Sequence, residues 1–177
     1  MPTAEGLQQE GLRLFREGLY DEAAQRFSEA QEHFAELGRE VEIGEMLNNI
    51  GVIRRKQSRW DDALAAFDEA HRVFLRCGDK SRLAQALGNQ ASVYASLKRR
   101  DEALSAWREA VDAFAELGDR QRQGETLMAL GVALFKSRRR EEGLASYQAG
   151  LALLDAPTPM QRLTQTLWRM QIRLMGG

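Results

Sequence analysis

Gly11, Gly51, Ala91 and Gly131 stand 40 residues apart, and the residues around them keep the same step. Leu7, Leu47, Leu87 and Leu127 fall in register, as do Ala23, Ala63, Ala103 and Gly143. Phe27, Phe67, Trp107 and Tyr147 follow four residues later, and Ala30, Ala70, Ala110 and Gly150 three after that. A sequence that repeats itself four times builds from one supersecondary unit, and such a unit buries its apolar face only by stacking on its neighbours. Arrays of this kind work through shared surfaces, so a catalytic cluster is not the first thing to seek.

Residues 41–80 show what one unit is. Apolar positions Leu47, Ile50 and Gly51 recur at helical spacing between Glu42 and Gln57, and the pattern lapses over Lys56–Trp60. Asp61 and Asp62 then open a second helix, where acids suit the positive end of the helix dipole and Asp61 is placed to cap. Ala63, Phe67, Ala70, Val73 and Phe74 make one apolar stripe, and Gly78 supplies the left-handed stop. The unit is helix A, short turn, helix B, loop. No stretch alternates with period two, so no strand is expected. Gly51 is expected to let the two helices approach, with Phe67 filling the space between repeats. Gly143 and Gly150 are expected to loosen the fourth unit, and Arg54, at a position otherwise held by Leu14, Tyr94 and Leu134, to pack its stem with its head in water.

The chain ends on a different signal. Thr158-Pro159 with Gln161 predicts a capped helix start, and the helix to about Leu174 continues the register as the A helix of an incomplete fifth unit. Leu163, Leu167, Met170 and Leu174 are expected to cover the array. Trp168, Ile172 and Met175 form a second apolar stripe, expected to face outward and meet a partner or a second copy.

The motif of large apolar residue, Gly, then Ala-x3-aromatic-x2-Ala resembles the tetratricopeptide repeat over residues 4–155. The longer B helices, ending in Phe34-Ala35-Glu36-Leu37-Gly38 and Phe114-Ala115-Glu116-Leu117-Gly118, are similar to the 40-residue repeats of polarity and G-protein-regulating scaffolds and of peptide-sensing bacterial regulators. The resemblance implies an all-α, right-handed superhelical solenoid: one array over residues 1–177, with repeats at about 4–40, 41–80, 81–120 and 121–155 and a capping helix at about 158–175. It also implies a concave groove lined by the A helices. The stripes facing that groove would be Glu5, Gln9, Leu12 and Arg16 on A1, and Glu45, Asn49, Val52 and Lys56 on A2. Those on A3 would be Gln85, Asn89 and Ser92, and those on A4 Glu125, Val132 and Lys136. In the family an asparagine at the Asn49 and Asn89 position holds a peptide's backbone amide, a task its paired donor and acceptor suit. The carboxylate clamp of chaperone-binding members would need Lys and Asn in one A helix, Asn in the next and Lys and Arg in the third. Here Gln8, Leu12, Asn49, Gln85 and Asn89 match it at one position of five, which argues against an acidic C-terminus as ligand.

Composition excludes several other classes. With 44% apolar and 29% charged residues the chain reads as a globular protein. No apolar run reaches the ~20 residues of a spanning helix, and the start lacks the pattern of a signal peptide. Cys77 is the single cysteine, which points to a reducing, cytoplasmic setting and a small core residue. His33 and His71 have no ligand-spaced companions, so neither a metal nor a cofactor is expected. The acid pairs opening each B helix are explained by the helix dipole, and no catalytic set is visible. Residues 1–40 hold nine acids and four bases, whereas residues 158–177 hold three arginines and no acid.

Basic runs at Arg54–Lys56, Lys98–Arg100 and Arg138–Arg140 fall at the A-to-B turns and would form a rim. Acids follow each run and no aromatics interleave, which disfavours nucleic acid. The expectation is a non-enzymatic adaptor, monomeric or weakly dimeric, that binds a peptide or protein segment in the groove. The alternatives are an electrostatic partner on the rim and self-assembly through the array ends.

Overall fold

The computed structural model describes residues 2–175, of which the Met175 side chain lies outside the described part. Among the described residues there are nine α-helices and no strand. They are α1 (Ala4–Glu17), α2 (Tyr20–Glu36), α3 (Glu40–Lys56), α4 (Trp60–Cys77), α5 (Lys80–Ser96), α6 (Arg100–Glu116), α7 (Arg120–Lys136), α8 (Arg140–Leu153) and α9 (Pro159–Met175). In chain order these are four helix-turn-helix pairs and a closing helix. The chain divides into two compact units, one up to Leu97 and one from Lys98 onward.

Helix ends follow local chemistry. Thr3, Asp79 and Asp119 cap α1, α5 and α7 by accepting the backbone N–H three residues on, at 3.1, 3.0 and 3.0 Å. The B-type helices α2, α4, α6 and α8 have no side-chain cap. Asp61 lies in the first turn of α4 rather than at its cap, because the helix already begins at Trp60. Arg59, Arg99 and Arg139 occupy the cap position and reach forward to Asp62, Glu102 and Glu142, with Nε–carboxylate distances of 2.6, 2.6 and 2.8 Å.

The A-to-B turns share one backbone shape: Gly18, Ser58, Lys98 and Arg138 all have positive φ, from 60° to 80°. A side chain there costs roughly 1–2 kcal/mol, so the tertiary repeat holds this turn even where glycine is lost.

In the first unit α1 packs on α2, α2 on α3, α3 on α4 and α4 on α5, and α3 also meets α5. Phe27, Phe34, Phe67 and Phe74 are completely enclosed, together with Leu7, Met46, Ile53 and Val93. The glycines of the A helices make the room. A Cβ on Gly51 would lie 2.6 Å from the Phe67 ring, and one on Gly11 2.8 Å from that of Phe27. Phe67 therefore seats within its own repeat, against Gly51, rather than only between repeats. Cys77 is exposed, not a core residue. Its counterparts Leu37 and Leu117, the C-cap residues of α2 and α6, are exposed too.

In the second unit α7 packs on α6 and α8, and α8 on α9. Gly143 and Gly150 are buried and do not loosen α8. A Cβ on Gly143 would meet the Phe135 amide nitrogen at 2.7 Å, and one on Gly150 the Gly124 carbonyl at 2.5 Å. Here glycines on both helices bring backbone against backbone.

The closing helix starts as its sequence predicts. Gln161 N–H donates to Thr158 Oγ1 at 3.3 Å, and Thr158 N–H donates to Gln161 Oε1 at 2.6 Å. Its faces are exchanged relative to expectation. Trp168 points inward, stacked on Phe135 with ring centroids 4.0 Å apart and tilted on Tyr147 at 5.0 Å. Ile172 is partly buried, and Leu163, Leu167, Met170 and Leu174 are exposed. A flat indole hides more apolar area than a leucine and stacks on the open Phe135 ring, so Trp168 decides which face docks. Met175, the third residue of the expected outward stripe, lies outside the described side chains.

Candidate functional site: a polar cleft across α1, α3 and α5

The first unit holds a cleft of about 210 Å³ lined by Gln8 of α1, Glu45, Asn48 and Asn49 of α3, Phe74 of α4, and Arg82 and Gln85 of α5. A smaller apolar hollow, about 70 Å³, adjoins it between Leu12, Phe15, Phe27 and Val52, with Asn49 on its edge. The A helices supply most of both linings because the B helices α2 and α4 bury their apolar stripes behind them. Of the residues expected on this face, Glu45, Asn49, Val52 and Gln85 line the clefts. Leu12 of α1 lines the smaller hollow as expected, whereas Glu5, Gln9 and Arg16 are exposed and line neither; Gln8 and Phe15, a fraction of a turn away, take their place. Lys56 is exposed at the end of α3. Ser92 turns its hydroxyl back to the Gly88 carbonyl, 3.0 Å away.

The charges in the cleft are matched internally. Arg82 donates from Nε to Glu45 Oε1 at 2.6 Å and from Nη1 to Asp79 Oδ2 at 2.7 Å, and its Nη2 also reaches Glu45. Gln8 Nε2 donates to the other Glu45 oxygen at 3.4 Å. Glu45 thus ties α1, α3 and α5 together. Burial acts to raise the Asp79 carboxyl, but hydrogen bonds from the Arg82 amide and guanidinium outweigh it and leave the group below its ordinary pKa. For Arg82, burial works against the charge while the bonds to Asp79 and Glu45 raise the pKa. With the one carboxylate and one guanidinium of the lining spent on each other, the polar groups left for a ligand are neutral amides.

Those amides differ. Asn89 Nδ2 donates to Asn48 Oδ1 at 3.0 Å, so one of its protons is committed to the cleft itself. Asn48 is buried at 7% exposure and forms the floor; the periodic reading missed it, and the Asn48-Asn49 doublet was the available signal. Asn49 is half-buried, lines both hollows and has no side-chain partner among the described residues. It presents a complete donor–acceptor pair beside an apolar recess.

In the second unit, Glu125 is exposed and accepts from Gln121 Nε2 at 2.6 Å, and Lys136 is exposed. Val132 is packed against the cluster of Met128, Tyr147, Leu151 and Leu154, where Trp168 also lies. It is core-facing rather than groove-facing, because α9 closes over that side.

The rim carries less free charge than its sequence suggests. Arg99 and Arg139 fork onto neighbouring acids, Arg59 donates from Nε to Asp62, and Arg54 donates to Gln57 Oε1 at 3.0 Å with Asp21 at 4.0 Å. Arg55 is partly buried with its Nε unpartnered, and burial lowers its guanidinium pKa. Among the described residues no group of three or more His, Cys, Asp or Glu is placed to hold a metal ion, and no helix is long and apolar enough to cross a membrane.

The tetratricopeptide repeat family profile matches residues 42–114, from α3 into α6. No curated protein matches the chain in sequence. Among solved structures, BtubC from P. vanneervenii superposes with a TM-score of 0.77 at 18% identity, over 89% of this chain and 64% of that one. Aspartyl phosphate phosphatase F from Bacillus subtilis gives 0.75 at 16%, over 85% and 39%. A Rap protein complexed with competence and sporulation factor gives 0.75 at 13%, over 85% and 42%. The chain therefore spans less than two thirds of each of these proteins, and at such identities the likeness is one of fold. Residues 42–114 carry tetratricopeptide repeats, and the fold of the chain is that of a tetratricopeptide-repeat protein.

Proposed function

We propose that this chain is a non-enzymatic, cytoplasmic interaction module that holds an extended peptide or protein segment against α1, α3 and α5. The observation that carries the reading is Asn49, an unpartnered amide at the junction of a polar cleft and an apolar recess. An extended backbone offers one N–H and one C=O to such an amide, and an apolar side chain beside them fits the Leu12/Phe15/Phe27/Val52 hollow. The internal pairing of Glu45 with Arg82 favours a ligand recognised by backbone and shape over one recognised by charge. The Rap protein, a chain of similar fold, is complexed with competence and sporulation factor, which is in keeping with a module that works by binding a partner. The rival reading, an acidic or nucleic-acid partner on the rim, is weakened by the arginines already paired with Asp62, Glu102 and Glu142.

Selection of binders from a displayed library of short random peptides, followed by titration of the best one, tests the proposal. Two hydrogen bonds at about 0.5–1.5 kcal/mol each make Asn49→Ala weaken binding roughly 10- to 100-fold. Asn89→Ala costs less, about 3- to 10-fold, because one of its protons already serves Asn48. Charge reversal of Arg99, Arg139 and Arg140 leaves the affinity within about threefold, as expected of exposed charges. Binding kept in Asn49→Ala and lost on rim reversal would overturn the groove.

A further inference from the structure

Four of the seven residues lining the larger cleft, Gln8, Asn48, Asn49 and Gln85, carry carboxamides, and the two charges of the lining, Glu45 and Arg82, are bound to each other. The hydrogen bonds already formed in the cleft set what the amides still offer. Asn48, 7% exposed on the floor, accepts from Asn89 through Oδ1, so its Nδ2 protons have no partner among the described residues. Gln8 donates through Nε2 to Glu45, which leaves its Oε1 as an acceptor on the α1 side. A donor on the floor and an acceptor on the wall are what a carboxamide matches with its own C=O and NH2. We infer that the cleft is a subsite for the side chain of a glutamine or asparagine in the bound segment.

The assignment rests on a segment being held at Asn49, and it names which side chain of that segment enters the cleft. An acidic side chain would meet Glu45, and a basic one would meet Arg82. The carboxylates are also taken: Glu45 accepts from Arg82 and Gln8 on separate oxygens, and Asp79 accepts from the Arg82 amide and guanidinium. A ligand cation therefore finds no oxygen there without a donor. An aliphatic side chain would cover the Asn48 protons and leave them unbonded, at the full cost of their desolvation. Serine and threonine are small for a cleft of about 210 Å³. The apolar recess fixes the spacing. Asn49 lines both hollows, so its amide lies between them. With Asn49 on the backbone N–H and C=O of one residue, the residues before and after it share a face, about 7 Å apart in an extended chain. One enters each hollow. The ligand pattern is a carboxamide and an aliphatic residue separated by one position.

Random peptides selected on the full chain read the pattern, with Asn49→Ala as the control for the groove itself. Selected sequences should carry Gln or Asn two positions from Leu, Ile, Val or Met. In the best binder, replacing the carboxamide residue by Glu or by Met should weaken binding roughly 10- to 100-fold, the loss of two hydrogen bonds. That comparison changes the peptide alone, so the fold of the protein does not enter it. Gln8→Met, checked by an unchanged melting temperature, should weaken the parent peptide about 3- to 10-fold. The same variant should bind the Met-substituted peptide within about twofold of wild type, because the bond it removes is absent there. Binders that depend on Asn49 but carry an acid, a base or an aliphatic residue in place of the carboxamide overturn the assignment and leave the groove standing. Equal losses for both peptides in Gln8→Met overturn it too, since Gln8 would then act through the shape of the cleft. Binders indifferent to Asn49→Ala, or no binder at all, overturn the groove and the subsite together.

Discussion

The pairs α3–α4 and α7–α8 share one repeated sequence pattern but are locked together differently. In α3–α4, glycine stands only on the A helix, and the space over Gly51 is filled by the Phe67 ring. In α7–α8, Gly124 and Gly131 face Gly150 and Gly143, and the two backbones themselves touch. One interface is a knob in a notch; in the other, main chain meets main chain at the glycines. The difference teaches that glycine content alone does not measure looseness. A glycine in a helix costs about 1 kcal/mol in the isolated element, yet at these positions it removes the only obstacle to close packing, with dispersion gained along the whole contact.

The two modes break differently. Gly150→Ala should cost the most, about 2–3 kcal/mol or more, because its Cβ would meet the Gly124 carbonyl at 2.5 Å and main chain cannot rotate away. Urea unfolding measures the loss, and trimming Met128 should not restore it. A neutral Gly150→Ala would show that α7 and α8 are not in backbone contact.

Gly51→Ala should cost about 1–3 kcal/mol, since the obstruction is a ring at 2.6 Å that is itself fully enclosed. Here rescue is expected: adding Phe67→Leu makes room, and the double-mutant cycle should show a favourable coupling of about 1 kcal/mol. Additive losses would mean that Phe67 does not seat on Gly51. Gly88→Ala, with open space around its Cβ, is the smallest effect and of opposite sign, a gain of about 0.5–1 kcal/mol in melting experiments. A loss at that position would place an unseen neighbour over Gly88.

The candidate site was legible in part. Asn49, Val52 and Gln85 could be found because a helix with a known core face has a known opposite face. On α1 the expected stripe caught Leu12 but was off by a fraction of a turn elsewhere, since the helix is rolled so that Gln8 and Phe15, rather than Gln9 and Arg16, meet the clefts. Nothing local tells Asn89 from Asn49. Only the approach of α5 to α3 commits one to Asn48 and leaves the other open.

What the sequence determined by itself is whatever depends on neighbours along the chain. The 40-residue register, the helix pairs, the left-handed glycines ending α1 and α4, and the Thr158–Gln161 box at the start of α9 are all decided within a turn or two of backbone. Tertiary structure decided the rest. It chose Trp168 over the leucines as the docking face of α9, because Phe135 offers a ring to stack on. It left Cys77, the last residue of α4, exposed rather than buried. It also turned Gly143 and Gly150 from apparent weak points into a backbone contact between α7 and α8. Each of these turns on a competition between two surfaces for one partner, and periodicity reports that a face is apolar without reporting what lies opposite.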